Sequence, residues 1–519
     1  MEGVISSVIC LDSIDRDDQS FVFKYLKPFP FKIQSLLLNE YLSKHSKFER
    51  NSFLRVTVKN LTEKLSIPLR NLELNLHEDD LREKAKNIAK QCLKLREMYL
   101  IDSIAVDNIR LILKDHGISS VEDVYSLEGE LARYCDPKWW LRRLRKSMRK
   151  NIEIVLHHLN QVNKKKSLYC SNITLQARIR QKQYQEQYLE NTIATNQDGD
   201  SFTLLELSQK GVSDPTIRKG ELMMRARGFE DLAKELGHEA TFLTFTCPSK
   251  YHRSYAKSGD VNHKWGGYTP LDGQKYLNKQ WQLIRATLNR LDIRFYGFRV
   301  VEPQHDGTPH WHLLLFVEKE HYEEMVSIMR EYIMKEDREE KGAEQHRFTE
   351  VKIDPAKGSA TGYIAKYISK NIDGSDLDTG IYGEDPTEAA ARVDAWASCW
   401  GIRQFQQLGG CSVTVWRELR RLQSAIKLPE KAKKIFKSAD TGNWKEYLQL
   451  MGGVFCGRKD QAIQPYYEWA YDADTGVIKS GQYSENELVK TLKGVSAFGK
   501  NIETRVNNWT LESKLKFAF

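Results

Sequence analysis

The chain has 519 residues with 40% hydrophobic and 29% charged residues, so it can bury real cores and is not globally disordered. Its length allows roughly two to four domains. A mean hydropathy of −0.57, with no apolar run near the ~20 residues a bilayer requires, argues against an integral membrane protein. The 79 basic and 70 acidic residues leave a mild net charge of +9.

The N-terminal stretch MEGVISSVICLDSIDRDDQ lacks a basic leader segment and soon becomes acidic, so it does not read as a secretory signal. The eight cysteines (Cys10, Cys92, Cys135, Cys170, Cys247, Cys399, Cys411, Cys456) are scattered without a CxxC pair. That pattern offers no zinc ribbon or disulfide framework and fits a reducing cytoplasm.

Residues 1–237 read as mainly helical, a region for DNA or partner binding. DDLREKAKNIAKQCLKLREMYL (79–100) and ITLQARIRQKQYQEQYLENTI (173–193) repeat apolar residues at three- and four-residue steps. Between them, KWWLRRLRKSMRK (138–150) carries seven cations, two tryptophans and no acid. Arg142, Arg143, Arg145 and Lys146 are candidates for phosphate contacts. The alternative is an amphipathic helix with Trp140, Leu141, Leu144 and Met148 facing a core.

The texture changes at residue 238. ATFLTFTC (240–247) predicts a strand, GQKYLNKQWQLIRATLNRLD (273–292) a helix, and IRFYGFRVVEPQ (293–304) and HWHLLLFVE (310–318) two strands. A helix over 319–336, a strand over 347–354 and a helix over 359–372 follow. The order β-α-β-β-α-β plus one helix predicts an α+β fold: a ferredoxin-like antiparallel sheet, helices on one face, spanning 238–372. Residues 373–519 read as a mixed region of helices and short strands, opening with the loop DGSDLDTG.

Two clusters in the middle region carry chemistry. In EPQHDGTPHWH (302–312), His310 and His312 are two apart on a strand and share a face. An odd-length turn centred on Gly307 would place Gln304 opposite His310 and Glu302 opposite His312. All four would then face one way and suit a divalent Mg or Mn ion. A two-residue Asp-Gly turn would send Glu302 to the other face. In GYIAKYISKN, Tyr363 and Tyr367 are neighbours on a helix, followed at three residues by Lys366 and Lys370. A phenol needs help to ionise near neutral pH, which ammonium groups or a metal can supply. The alternative is two aromatics packed on a sheet with lysines reaching to solvent.

Together, FLTFTCP (242–248), PHWH and GYIAKYISKN resemble the three ordered motifs of HUH endonucleases, the rolling-circle initiators and their relatives. The two-tyrosine helix is similar to the replication gene A proteins of tailed phages. RARGFEDLAKELGHEATFLTFTCPSKYH (225–252) and WASCWGIRQFQQLGGCSVTVWRELRRL (396–422) resemble that family's flanking signatures. The likeness begins near Tyr169 and reaches the last hundred residues.

The resemblance implies that His310 and His312 hold a divalent metal, with Glu302 or Gln304 as third ligand, and that Tyr363 and Tyr367 are nucleophiles. It implies a site- and strand-specific endonuclease that initiates rolling-circle replication of phage or prophage DNA in the bacterial cytoplasm. Its partners would be origin DNA, single-stranded or unwound at the nick, and a host helicase, since the chain has no GxxxxGK[ST] motif. The alternatives are an HUH transposase or relaxase, or a non-catalytic DNA-binding regulator with a structural metal. In VWRELRRL, Arg417, Arg420 and Arg421 are candidate phosphate contacts, or else the wet side of a helix that buries Trp416, Leu419 and Leu422.

Overall fold

A computed structural model describes residues 14–73, 78–122, 124–374, 382–471 and 477–513. Cys10 and most of the DGSDLDTG loop lie outside these residues; the seven described cysteines are all unpaired. No helix among the described residues is long and apolar enough to cross a membrane.

The residues before 237 form helices joined by short turns, with one small hairpin, Thr192–Asn196 and Ser201–Thr203. The longest, Pro137–His158 and Pro215–Leu236, each open on a proline behind an aspartate cap, Asp136 and Asp214. Residues 81–148 close on a core of their own, which includes Trp139, Trp140, Leu141, Leu144 and Met148. Ile154 and Val155 of the first of these helices, and Leu222, Phe229 and Leu232 of the second, instead join cores shared with the middle region.

The middle region supplies β1 (Glu239–Thr246), α1 (Pro270–Arg290), β2 (Phe295–Pro303), β3 (Pro309–Val317), α2 (Tyr322–Met334), β4 (Phe348–Lys352) and α3 (Ala360–Ile372). The predicted order of elements is present throughout. A fifth strand, β5 (Phe405–Leu408), arrives from beyond residue 372, out of the FQQL of the second flanking signature. The sheet order is β4-β1-β3-β2-β5, and every neighbouring pair is antiparallel.

Helices on one face only are not what the structure shows. Trp311, Leu313, Leu315 and Val317 of β3 face one core with Leu277, Trp281 and Ile284 of α1 and Met325 and Met329 of α2. Leu314 and Phe316 face a second core with Ile364 and Ile368 of α3 and Phe229 of the Pro215–Leu236 helix. The physical reason is legible in β3 itself. HWHLLLFV has no polar residue after His312, the pattern of a strand buried on both sides. Thus α3 lies across the sheet from α1 and α2. Ile364 and Ile368 are fully buried, and truncating either to alanine costs roughly 2–5 kcal/mol.

Beyond β5, Trp416, Trp444 and Tyr447 pack together inside the second core at centroid distances of 5.0–5.1 Å, Trp416 edge-on to both others. A three-stranded sheet follows, with Lys490–Ala497 between Ile463–Trp469 and Lys500–Glu503. The strand Trp509–Ser513 then returns to pair with Thr192–Asn196.

Candidate metal centre and tyrosine helix

The hairpin between β2 and β3 sets the site. Pro303 pairs with Pro309, Glu302 with His310 and Val300 with His312, leaving a three-residue turn, His305-Asp306-Gly307. The turn is odd in length, as the site requires, but is centred on Asp306 rather than Gly307. Glu302 therefore lies opposite His310, and Gln304 lies opposite Thr308. Gly307 takes φ +82°, the left-handed last position of such a turn, and an added Cβ there would come within 2.9 Å of the Tyr169 carbonyl. The buried Asp306 carboxylate accepts from the backbone N–H of Arg253 (2.8 Å) and Thr308 (3.0 Å), while Trp396 Nε1 donates to the Gly307 carbonyl (2.8 Å). The turn that joins the two ligand-bearing strands is thus tied down from both sides.

Since facing residues share a side of the sheet, Glu302, His310 and His312 converge. His310 Nε2 and His312 Nε2 lie 3.2 Å apart, and each lies 3.5 Å and 3.4 Å respectively from Glu302 Oε2. A cation held ~2.1 Å from each donor, in octahedral or tetrahedral array, spaces neighbouring donors ~3.0–3.4 Å apart. Two edges of the triangle fall in that range and the third, at 3.5 Å, lies just above it. Among the described residues one other group, Glu318, Glu320 and His321, brings its donors within 4.8 Å of one another, but His321 lies 3.7 and 3.8 Å from the two carboxylates and none of the three is buried.

Behind the triangle, the Gln304 amide meets His310 Nδ1 at 3.3 Å and the Thr244 hydroxyl meets His312 Nδ1 at 3.1 Å. Both rings are held so that Nε2 points inward. Gln304, weighed as a third ligand, sits on the outer nitrogen of His310 instead of in the triangle.

Glu302 is fully buried. Burial alone would raise its carboxyl, but Lys370 and hydrogen bonds from His310 and His312 hold it well below the usual range. Lys370 Nζ lies 3.3 Å from Glu302 Oε2. Burial pushes the His310 imidazole down to about 4, helped by His312 and opposed by Glu302. At neutral pH an ionised Glu302 therefore stands beside an uncharged His310.

The tyrosines ride on α3. Ser359 Oγ caps this helix through the Gly362 N–H (3.0 Å), and the carboxylate of Glu230 accepts from Thr361 N (2.9 Å) and Oγ1 (2.6 Å). A buried acid thus sits at the positive end of the helix dipole. Tyr367 is half-buried, its ring 3.8 Å from the His312 ring and 5.2 Å from that of Phe242. Tyr363 is 39% exposed and touches the same Phe242 from further out, at 6.0 Å. Burial, then the Glu302 charge, pushes the Tyr367 phenol up to about 12. Lys366 is exposed; Lys370 is buried against Glu302 and 5.5 Å from the Tyr169 ring, so its charge serves the carboxylate.

Asn371 and Gln404 complete the site and were not singled out from sequence. Asn371 Nδ2 donates to Glu302 Oε1 and to the Tyr367 carbonyl, and its Oδ1 accepts from Gln404 Nε2. Asn371 falls four residues after Tyr367, on the Tyr363–Tyr367 stripe, a spacing that could have flagged it.

The basic candidates separate. Trp139, Trp140, Leu141, Leu144 and Met148 are buried, while Arg142, Arg143 and Lys146 are exposed. Arg142 donates to the Tyr483 hydroxyl (3.2 Å), Arg143 lies over the Trp139 ring, and Arg145 pairs with Glu78. Near the second signature, Arg417 pairs with Glu221 (2.7 Å) and Arg421 with Glu418 (3.3 Å), while Arg420 lies over Trp416. The helix there ends at Leu419, so Leu422 is outside it.

Residues 59–375 match the family model described as bacteriophage replication gene A protein. The chain is 34% identical to "Probable replication protein P12" of Pseudoalteromonas phage PM2, over 94% of this chain and 80% of that protein. It is 40% identical to "Replication gene A protein" of Escherichia phage 186, over 75% of this chain and 57% of that one. A "Probable replication endonuclease from prophage-like region 1" of Salmonella typhi is 34% identical over 66% of this chain and 44% of its own length. The chain thus spans only about half the length of the latter two relatives. No solved structure matches it.

Proposed function

The chain belongs to the bacteriophage replication gene A protein family, and from that premise we propose that it is a strand-specific DNA endonuclease that starts rolling-circle replication. The observation that carries this reading is the packing of Tyr367 on His312, which sets a phenol beside three converging metal donors. The β4-β1-β3-β2 order supports the ferredoxin-like, HUH-type reading of the sheet, with β5 as an addition at its edge.

Glu302, His310 and His312 would hold a Mg or Mn ion, which when bound supplies Lewis-acid polarisation of the scissile phosphate. The hydroxyl of one tyrosine gives up its proton and its oxygen attacks phosphorus in line. The new P–O bond is a 5′-phosphotyrosine; the bond to the 3′ oxygen breaks, and that oxygen takes a proton and leaves as a 3′-hydroxyl. The phosphodiester energy is kept in the covalent link, so rejoining needs no ATP. The second tyrosine, one helical turn away, can take the regenerated origin after a round of synthesis. The substrate in this reading is origin DNA, unwound by a host helicase in the bacterial cytoplasm. Arg142, Arg143 and Lys146, exposed on the Pro137–His158 helix, would contact its phosphates.

Incubation with single-stranded phage DNA and Mn or Mg tests the proposal. A detergent-resistant adduct, mapped by mass spectrometry to Tyr363 or Tyr367, is the expected result. A reversible shift alone would mean a DNA-binding regulator.

A further inference from the structure

We propose that Asn371 is a positioning residue for the metal centre: it locks the Glu302 carboxylate and, through Gln404, braces the tyrosine helix against the sheet's edge strand. The inference rests on the metal-centre reading and names how that centre is held.

Asn371 is 3% exposed, and its carboxamide makes three hydrogen bonds that use both of its N–H donors. One N–H goes to Glu302 Oε1, the other to the Tyr367 carbonyl at 2.6 Å, and Oδ1 accepts from Gln404 Nε2 at 3.2 Å. The partners fix its orientation. Turning the amide over would set Oδ1 against a carboxylate and a carbonyl and NH2 against another NH2. Gln404 immediately precedes β5, and its carbonyl accepts from Val301 N at 2.8 Å, one residue before Glu302. Helix, edge strand and ligand strand thus meet at one amide.

The consequence for Glu302 is geometric. With Oε1 held by Asn371, Oε2 is the oxygen left facing both Nε2 atoms, at 3.4 and 3.5 Å, and the carboxylate cannot rotate. Lys370 and Asn371, adjacent in sequence, hold one oxygen each. Lys370 occupies the oxygen that faces the donors, so a cation there must contend with its charge. The neutral contact on Oε1 has no such conflict. Partners of this kind, behind the ligands, typically govern 10–100-fold in metal affinity.

Calorimetric titration of the full chain with Mn2+, without DNA, tests the inference. Asn371→Ala is expected to weaken Mn2+ binding ~10–100-fold and Gln404→Ala by several-fold, whereas Gln404→Ala adds nothing in the Asn371→Ala background. In nicking assays, the Mn2+ concentration for half-maximal rate should rise by the same factor, with the rate at saturating Mn2+ largely restored. Glu302→Ala serves as control. If Glu302→Ala abolishes binding while Asn371→Ala binds Mn2+ like the unaltered chain, the positioning role is overturned. If Glu302→Ala itself binds normally, the metal-centre reading falls instead. Should Asn371→Ala fail to fold, Gln404→Ala and Gln404→Leu decide: unchanged Mn2+ affinity in both overturns the proposal.

Discussion

The rings of Tyr367 and His312 lie 3.8 Å apart, centroid to centroid, whereas Tyr363 stands one turn further out and 39% exposed. The two tyrosines are therefore not equivalent. Tyr367→Phe is expected to reduce first-strand cleavage on the order of 100-fold, the cost of attack from a displaced nucleophile. Tyr363→Phe should reduce it much less and impair transfer to a second strand. Adduct yield on one oligonucleotide, then on a pair, measures both. Equal losses would remove the asymmetry, and an adduct on Tyr382 would remove α3 as the source of nucleophiles.

Removing a donor should separate chemistry from binding. His310→Ala, His312→Ala and Glu302→Gln are each expected to lose metal-dependent nicking by more than the ~10–100-fold typical of a supporting residue. Affinity for single-stranded DNA should stay within a few-fold, because phosphate contacts supply it. Gln304→Ala should fall in the milder class, since its amide meets His310 Nδ1 and not the triangle. Filter binding and nicking, run side by side, check this.

Where the sequence was readable, local pattern was enough. The β-branched and aromatic residues of β1 and the doubly apolar β3 mark strands, and the Tyr363–Tyr367 spacing marks one face of a helix. The face of Glu302 hung on the parity of its turn, which the sequence left open; the structure shows a three-residue loop, held by Asp306 and closed by Gly307. What stayed hidden depends on partners distant in the chain. Glu230 caps α3 from 131 residues away, β5 joins the sheet from beyond α3, and Lys370 turns to Glu302 instead of to a phenol. Periodicity reports which side of an element is apolar; it does not report what covers it.

A buried histidine pair away from the metal site gives a pH signature. Burial lowers the His157 imidazole to about 4 and that of His158 to about 3; both rings lie against Trp265. In the unfolded chain such rings take protons near pH ~6.5, so as pH falls below that value the unfolded state binds protons the folded state does not. Stability is complete above ~6.5 and lost progressively towards pH 4, by roughly 3 kcal/mol for His157 alone. Urea midpoints between about pH 7 and 4 should show this fall, and His157→Phe should flatten it. A midpoint in the variant as steep in pH as in the parent would mean another group is responsible.

The basic helix Pro137–His158 makes a sharper prediction now that its faces are known. Its tryptophans are buried, so they hold the helix in place and cannot stack on bases. Its cations differ: Arg145 is paired with Glu78, and Arg149 donates to Gln181, while Arg142, Arg143 and Lys146 face outward. Each phosphate contact contributes ~0.7 to the log–log salt slope on a single strand and ~0.9 on a duplex. Replacing Arg142, Arg143 and Lys146 with Gln should therefore flatten the slope by up to ~2 units on single-stranded DNA, for origin and non-origin sequences alike. Arg145→Gln should change the slope little and act instead on stability, because its charge is already answered by Glu78. Cleavage of a short oligonucleotide at saturating protein should survive the triple change, since the donors and tyrosines lie on β2, β3 and α3. A slope unchanged by the triple substitution would make this an ordinary solvated helix face. A loss confined to origin DNA would mean that these side chains reach base edges and read sequence.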